Sequence, residues 1–358
     1  MICLPTIIAL KKIFYETKGE EKNMAEQKKI TRQNSVHIVG FLQENTLEKV
    51  SIQDKGEVVR GNLIIATDET SRYKVSFYVP QYLKNGEESA DFTSLLELLP
   101  EKTTSIAKYL KTNPGTTYET AAEAASKLWV VARFEEFASA EGERSRSMIT
   151  LKGFKAGFKQ ETEDSPFAPH AEFTVDAFIE SIKNEVKYED ENDEDGTETG
   201  RLIVTGLLPV FDESVYKIEF IAPVENGIAE FMSHTYSKGV TATLRGNLVN
   251  IDKKVLKEDS ENEEEFFGVP AGPQYKTVFI RERIITGLSK KPILQGEEKS
   301  ISLEFVKNGL AKRLTKAQEN GKREAKGKGT NNPSTAPKAE EKQEFVGKAS
   351  NAADDMDF

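Results

Sequence analysis

One pattern occurs twice in this chain, and the duplication limits its architecture more than any other feature. Arg60-Gly61-Asn62-Leu63-Ile64-Ile65-Ala66-Thr67 is echoed by Thr199-Gly200-Arg201-Leu202-Ile203-Val204-Thr205. After a short polar turn each run is followed by the same motif: Tyr73-Lys74-Val75-Ser76-Phe77-Tyr78-Val79-Pro80, then Tyr216-Lys217-Ile218-Glu219-Phe220-Ile221-Ala222-Pro223. Two matched β-rich runs in the same order with a similar gap point to duplication of a whole unit, since internal self-similarity marks repeated architecture. At 358 residues the chain has room for two such units, because one hydrophobic core stops growing near about 250 residues.

Period-2 alternation and β-branched content place first-half strands near Val36–Leu42, Val58–Thr67 and Arg72–Val79. A helical region follows: Asp91 can cap Phe92–Leu99, and Thr117 can cap the alanine-rich Tyr118–Lys127. Strands near Leu128–Phe137 and Ser147–Phe154 complete the unit. The second half repeats the order, with strands near Ala171–Ile179, Arg201–Pro209 and Val215–Ala222, a helix near Asn226–Ser237, and strands near Val240–Ile251 and Tyr275–Thr286. Five strands with a helix between the third and fourth is the OB arrangement, a partly open barrel whose face and loops can hold oligonucleotides or oligosaccharides. The predicted fold class is mainly β with inserted helices: two tandem OB-like barrels, over 34–160 and 167–308, plus a disordered C-terminal tail.

Residues 1–33 read as a disordered extension. The apolar run Ile2–Leu10 precedes Lys11 and Lys12, the reverse of a signal peptide, and no small-residue cleavage site follows. Lys18-Gly19-Glu20-Glu21 can be encoded by AAAGGAGAGGAA, which contains a bacterial ribosome-binding sequence upstream of the Met24 codon, so Met24 is the expected start. From Gly309 the sequence reads as a flexible basic linker (Lys312, Arg313, Lys316, Lys322, Arg323, Lys326, Lys328) that ends in an acidic tip, Asp354-Asp355-Met356-Asp357-Phe358. A segment so poor in apolar residues cannot offset its chain entropy by burial.

The net charge of −10 is unevenly spread. Glu185–Glu198, Lys257–Glu265 and Asn351–Phe358 carry net charges of −7, −5 and −3, and removing them leaves a mildly basic body. The first two patches fall in connections that wall the groove of an OB barrel. The sole cysteine, Cys3, excludes disulfides and cysteine metal sites, and His37, His170 and His234 show no ligand spacing. No cofactor is expected. No apolar run could span a bilayer, and a reducing cytoplasm, that of a bacterial host if the gene is phage-borne, fits best.

Cations beside aromatics on an outward strand face are the chemistry of single-strand binding, where bases stack on rings and Lys or Arg neutralise phosphate. Alternation sets Leu128, Val130, Ala132 and Phe134 inward and Lys127, Trp129, Val131 and Arg133 outward. The third strand offers Arg72, Lys74 and Tyr78; the fifth, Lys152 and Phe154. In the second half Lys217, Arg245 and the set Phe279, Arg281 and Arg283 are the outward candidates. Tyr73, Phe77, Tyr216 and Phe220 share the spacing of a buried face. Trp129 can equally serve packing, and Arg281 and Arg283 can equally form a plain solvated face.

The terminal Asp354, Asp355, Asp357 and Phe358, tethered to two OB-like units, resemble the tails of bacterial and phage single-stranded-DNA-binding proteins, the phage type more closely. The resemblance implies non-sequence-specific binding of single-stranded DNA in replication, recombination and repair. It also implies a tip that docks its Phe and acids on replication or recombination proteins and can fold back on the chain's own DNA groove. Bacterial members usually carry one OB domain per chain and form tetramers; this chain reads as two, and homo-oligomerisation is compatible with the resemblance. No phosphate-binding loop, Gly-x-Ser-x-Gly elbow or His-Glu-x-x-His occurs, so no enzyme is expected. Two other classes stand beside this reading: a phage assembly or scaffold protein, and a metal-dependent nuclease using acids such as Asp190, Glu191, Asp193, Glu194 and Asp195, although consecutive loop acids lack the fixed geometry of a metal site.

Overall fold

In the computed structural model, residues 32–53, 56–141, 144–163, 165–188, 196–210, 212–256 and 275–327 are described. Strands are β1 Asn34–Asn45, β2 Glu48–Ile52, β3 Gly56–Ala66, β4 Arg72–Pro80, β5 Lys127–Glu141, β6 Arg144–Phe158, β7 His170–Lys187, β8 Thr197–Pro209, β9 Val215–Ala222, β10 Thr241–Leu256 and β11 Tyr275–Leu288. Helices are α1 Ala90–Leu96, α2 Ile106–Thr112, α3 Tyr118–Ala124, α4 Ile228–Thr235 and α5 Leu303–Gly327.

Each half closes on itself in the same way. β1 pairs with β3, β3 with β4, β4 with β6 in parallel, β6 with β5, and β5 with β1. β7, β8, β9, β11 and β10 repeat that circuit, including the parallel pair, β9 with β11. The fold is thus mainly β, two OB-like barrels in tandem, each with its helices between the third and fourth barrel strands. The buried faces follow from alternation: Tyr73, Val75, Phe77 and Val79 in one barrel and Tyr216, Ile218, Phe220 and Ala222 in the other are core.

The barrels are fused rather than strung together. β1 and β7 pair antiparallel with Val36 opposite Phe173, so one sheet runs through both units. Val36 also pairs with Ala132, and Phe173 with Gly246, which makes the β1–β7 seam an approximate two-fold axis. One core spans the seam: the Phe134 and Phe173 rings lie 6.1 Å apart, and Phe173 lies 5.3 Å from Phe220. Each fourth-to-fifth strand hairpin then reaches the opposite barrel. The Tyr73 hydroxyl donates to the Leu248 carbonyl at 2.8 Å, and the Tyr216 hydroxyl donates to the Phe134 carbonyl at 2.7 Å. The repeated tyrosine is therefore a reciprocal latch, and its hydroxyl finds the partner that a buried phenol requires.

The structure revises several local expectations. α1 is capped by Ser89, whose Oγ accepts from Phe92 N at 3.3 Å, rather than by Asp91. α2, capped by Ser105, and the short edge strand β2 are additional elements, and Thr117 caps α3 as expected. The linker expectation fails over residues 309–327, which continue α5. The reason is a narrow apolar stripe, Leu303, Val306, Leu310 and Ala317, at alternating three- and four-residue spacing, with Arg313 at the remaining stripe position. Val306 and Leu310 pack with Phe178 and Leu207 of the second barrel. Arg313 meets Glu136 of the first barrel in a bidentate pair, Nε–Oε2 2.6 Å and Nη2–Oε1 2.5 Å, and Asn320 donates to the Ala138 carbonyl at 2.8 Å. Residues 1–31 and 328–358, with the Met24 start, the remaining linker and the tip Asp354, Asp355, Asp357 and Phe358, lie outside the described residues, as do most of the two internal acidic patches.

Candidate nucleic-acid interface

The outer face of the first barrel is set by β4, β6 and β5, whose side chains alternate between core and solvent. Along β4, Lys74 and Tyr78 point outward and are exposed. β6 lies beside it with Lys152 opposite Ser76. On β5, Arg133 sits opposite Lys152, Val131 opposite Lys155, and Trp129 opposite Gly157. The register breaks once: Ala132 faces Gly153 while Val131 faces Lys155, so Phe154 is the extra residue of a β-bulge. The bulge sets Phe154 and Lys155 side by side in solvent, both exposed. Strict alternation would send one of them inward, which is why Lys155 escapes a sequence reading.

Trp129 is half-buried on the outer face, not in the core. Its indole lies across Gly157: a Cβ at that glycine would sit 3.0 Å from Trp129 Nε1 and Cζ2. The missing side chain thus lets the ring lie against the strand.

Four cations, Lys74, Arg133, Lys152 and Lys155, share this face with Trp129, Phe154 and Tyr78. Glu135 is the carboxylate among them, 3.2 Å from Lys152 Nζ and 3.7 Å from Arg133 Nη2. Lys74 and Lys155 have no acidic partner among the described residues. The face is cationic, and its ion pairs are exposed and weak.

Lys127 and Arg72 are placed differently from the rest of the expected set. Lys127 pairs with Glu161 and stands 4.9 Å from the Phe167 ring, which itself packs edge-on against Phe41 at 4.9 Å. The connector between the barrels thus covers that end of the face. Arg72 is half-buried, with Nη2 donating to the Glu69 carbonyl at 3.3 Å, and its own carbonyl accepts from Asn250.

The second barrel repeats the scaffold without the chemistry. Its bulge falls at the matching place, Arg245 opposite Gly287 and Gly246 opposite Ile285, with Thr286 as the extra residue. Through these registers Trp129 corresponds to Thr243, Arg133 to Asn247, Lys152 to Ile284, Phe154 to Thr286 and Lys155 to Gly287. Arg245 is exposed, and two strands, β7 and β1, lie between its strand and β5. Lys217 pairs with Glu180 at 2.9 Å. Phe279 is 52% exposed with Arg281 5.3 Å from its ring centre, but Arg281 is held by Asp252 at 2.5 Å.

Arg283 corrects the expected outward set. It points between the barrels, 5.6 Å from the Phe134 ring, with Nη1 donating to the Glu219 carbonyl at 3.3 Å and a buried Nε without a partner. Desolvation lowers its pKa from the ordinary value. The cause is a change of surroundings along one strand face: the alternation that exposes Phe279 and Arg281 runs on into the core at Ile285, and Arg283 stands at the boundary.

Among the described residues no cluster of His, Cys, Asp or Glu has the arrangement of a metal site, and no helix is long and apolar enough to cross a membrane. No curated protein matches the sequence. Among solved structures, the wild-type single-stranded DNA binding protein from Thermus aquaticus is similar at 14% identity and TM-score 0.38, over 75% of this chain and 96% of that one. A deletion mutant of the same protein gives 14% and 0.38 over 75% and 98%. A Replication Protein A heterotrimer bound to single-stranded DNA gives 8% identity and TM-score 0.18, over 82% of this chain and 72% of that one. The YorF family model matches residues 116–323, from the helix before β5 through the whole second barrel and most of α5. That match covers more than half of the chain, which therefore belongs to the YorF family.

Proposed function

We propose that the chain binds single-stranded DNA without sequence preference and without catalysis, on the outer β4–β6–β5 face of the first barrel. The observation that carries the reading is the convergence of Trp129, Phe154 and Tyr78 with Lys74, Arg133, Lys152 and Lys155 on one exposed surface. Every base has a face that can stack, so rings without a base-edge reader favour tolerance of sequence, and each stacked base contributes roughly 1–3 kcal/mol. The lysines and arginine neutralise phosphate without fixing its position. The replication and recombination role, and recruitment of partner proteins by Asp354, Asp355, Asp357 and Phe358, extend this reading.

Fluorescence anisotropy with labelled oligo-dT at several salt concentrations tests it. Binding should weaken steeply with salt and quench the emission of the single tryptophan. Absence of binding, or saturation that leaves Trp129 emission untouched, would remove the proposal. Deleting Asp354–Phe358 should leave oligo-dT affinity unchanged or higher while abolishing pull-down of replication proteins.

A further inference from the structure

Where the first barrel presents rings and lysines, the second presents a hollow. A depression of about 340 Å³ opens on its outer side, floored by Ile221, Ile228, Ile284 and Ile285 and bordered by Thr286 of the bulge. Ile221 stands in the repeated motif where Tyr78 stands in the first barrel, and Ile284 and Thr286 correspond to Lys152 and Phe154. Val224, next in the chain to the lining residues Pro223 and Glu225, is 53% exposed.

The charge at this rim is of the wrong sign for a polynucleotide. Glu225 lines the depression and is exposed. Arg201, the cation there, lies between two carboxylates, Glu282 at 2.8 Å and Glu185 at 3.3 Å, so the trio carries net negative charge. An aliphatic hollow with an acidic margin complements an aliphatic side chain flanked by cations, since depressions of this size are filled by apolar groups and oriented by a few charges.

We infer that the second barrel is a protein-docking module that seats one large aliphatic side chain, from a lysine- or arginine-rich segment of a partner protein, in the Ile221–Ile284 depression. The inference goes beyond DNA binding and does not depend on it. It gives the duplicated barrels separate clients, an unpaired polynucleotide for one and a basic peptide for the other.

The test uses the full chain and a synthetic probe: a fluorescein-labelled nonapeptide of alternating lysine and glycine with one central leucine. Matched probes carry alanine at the centre, or glutamate for lysine. Saturable binding is expected, about tenfold weaker for the alanine probe, the equivalent of about 1.4 kcal/mol, and lost for the glutamate probe. Methyl shifts should be confined to Ile221, Ile228, Ile284 and Ile285. Thr286→Trp, at an exposed position, should plug the hollow and abolish probe binding; Glu225→Lys should weaken it. Both variants should bind oligo-dT as the unaltered chain does. Equal binding of the leucine and alanine probes, binding that survives Thr286→Trp, or displacement of the probe by oligo-dT would overturn the inference. So would concentration-dependent self-association that Thr286→Trp removes, which would assign the hollow to a second copy.

Discussion

The bulge of the first barrel turns Phe154 and Lys155 into solvent beside Arg133, while the matching bulge of the second turns out Thr286 beside Gly287 and Asn247. The register and bulge of the fourth and fifth strands, the latch tyrosines and the circuit of pairings agree between the barrels. The difference lies in outward side chains, and there it is nearly complete. Inward positions of both units stay apolar or small under the packing constraint of a core, whereas outer positions are free to diverge once a second copy exists. Function is therefore to be sought where the repeats disagree, and the strongest disagreement is Trp129 against Thr243.

That contrast gives the largest expected effect. Trp129→Ala should weaken oligo-dT binding by roughly 5- to 150-fold, the equivalent of one stacked base. Thr243→Ala, at the corresponding place, removes a hydrogen bond to Asp176 Oδ1 at 2.6 Å and should leave oligo-dT affinity unaltered. Titrations of the two variants side by side decide it, and equal losses would mean that the first barrel has no special claim on DNA.

The latch offers a second comparison, in stability. Tyr73→Phe deletes one cross-barrel hydrogen bond and Tyr216→Phe deletes two, each at a cost of about 1 kcal/mol. The two are not equivalent. Tyr216 also accepts from Asn34 Nδ2 at 2.9 Å, and Asn34 braces both the amide and the carbonyl of Phe134, at 3.0 and 3.1 Å. Tyr216→Phe should thus destabilise by about 1 kcal/mol more than Tyr73→Phe, read as the difference in denaturant midpoint at constant slope.

How much of this was legible in the sequence follows from which interactions are local. The duplication, the strand order and the buried set around Tyr73 and Tyr216 were readable because alternation and motif are properties of adjacent residues. Trp129, Arg133, Lys74 and Tyr78 on one face were readable for the same reason. Lys155 was hidden because a bulge resets alternation, and nothing at Gly153-Phe154-Lys155 announces one. Arg283 was misplaced because its burial depends on Phe134, far away in sequence. Helix α5 was mistaken for linker because Arg313 occupies a position on its packing stripe, and only Glu136 of the other barrel, 5% exposed, makes that tolerable.

A third comparison concerns salt. Lys152→Ala and Lys155→Ala should each flatten the dependence of log affinity on log salt by about 0.7, the loss of one phosphate contact on a single strand. Lys217→Ala, whose amine already faces Glu180, should leave that slope as it is. A shallower slope in the Lys217 variant would extend the DNA path onto the second barrel.

The smallest effect separates the two turns that join the second and third strands of each barrel. Asp68 accepts from the Thr70 and Ser71 amides, both at 2.8 Å, and Asp212 accepts from the Ser214 amide at 3.1 Å and hydroxyl at 2.6 Å. Burial by itself would raise both carboxyls, but the hydrogen bonds outweigh it and both pKa values lie below the ordinary 3.8. Asp212 goes further, to about 2, because Lys316 of α5 adds a charged partner. A carboxyl depressed by folding stabilises above its unfolded pKa and loses that contribution as pH falls through its folded one. Acid should therefore loosen the α5 anchorage between about pH 4 and pH 2. Carboxyl titration by NMR distinguishes the two turns: in Lys316→Ala the Asp212 midpoint should climb toward that of Asp68, while Asp68 stays where it was. Because both aspartates are largely solvated, added salt should move Asp212 toward Asp68 as well, since screening acts on the ammonium and spares the amides.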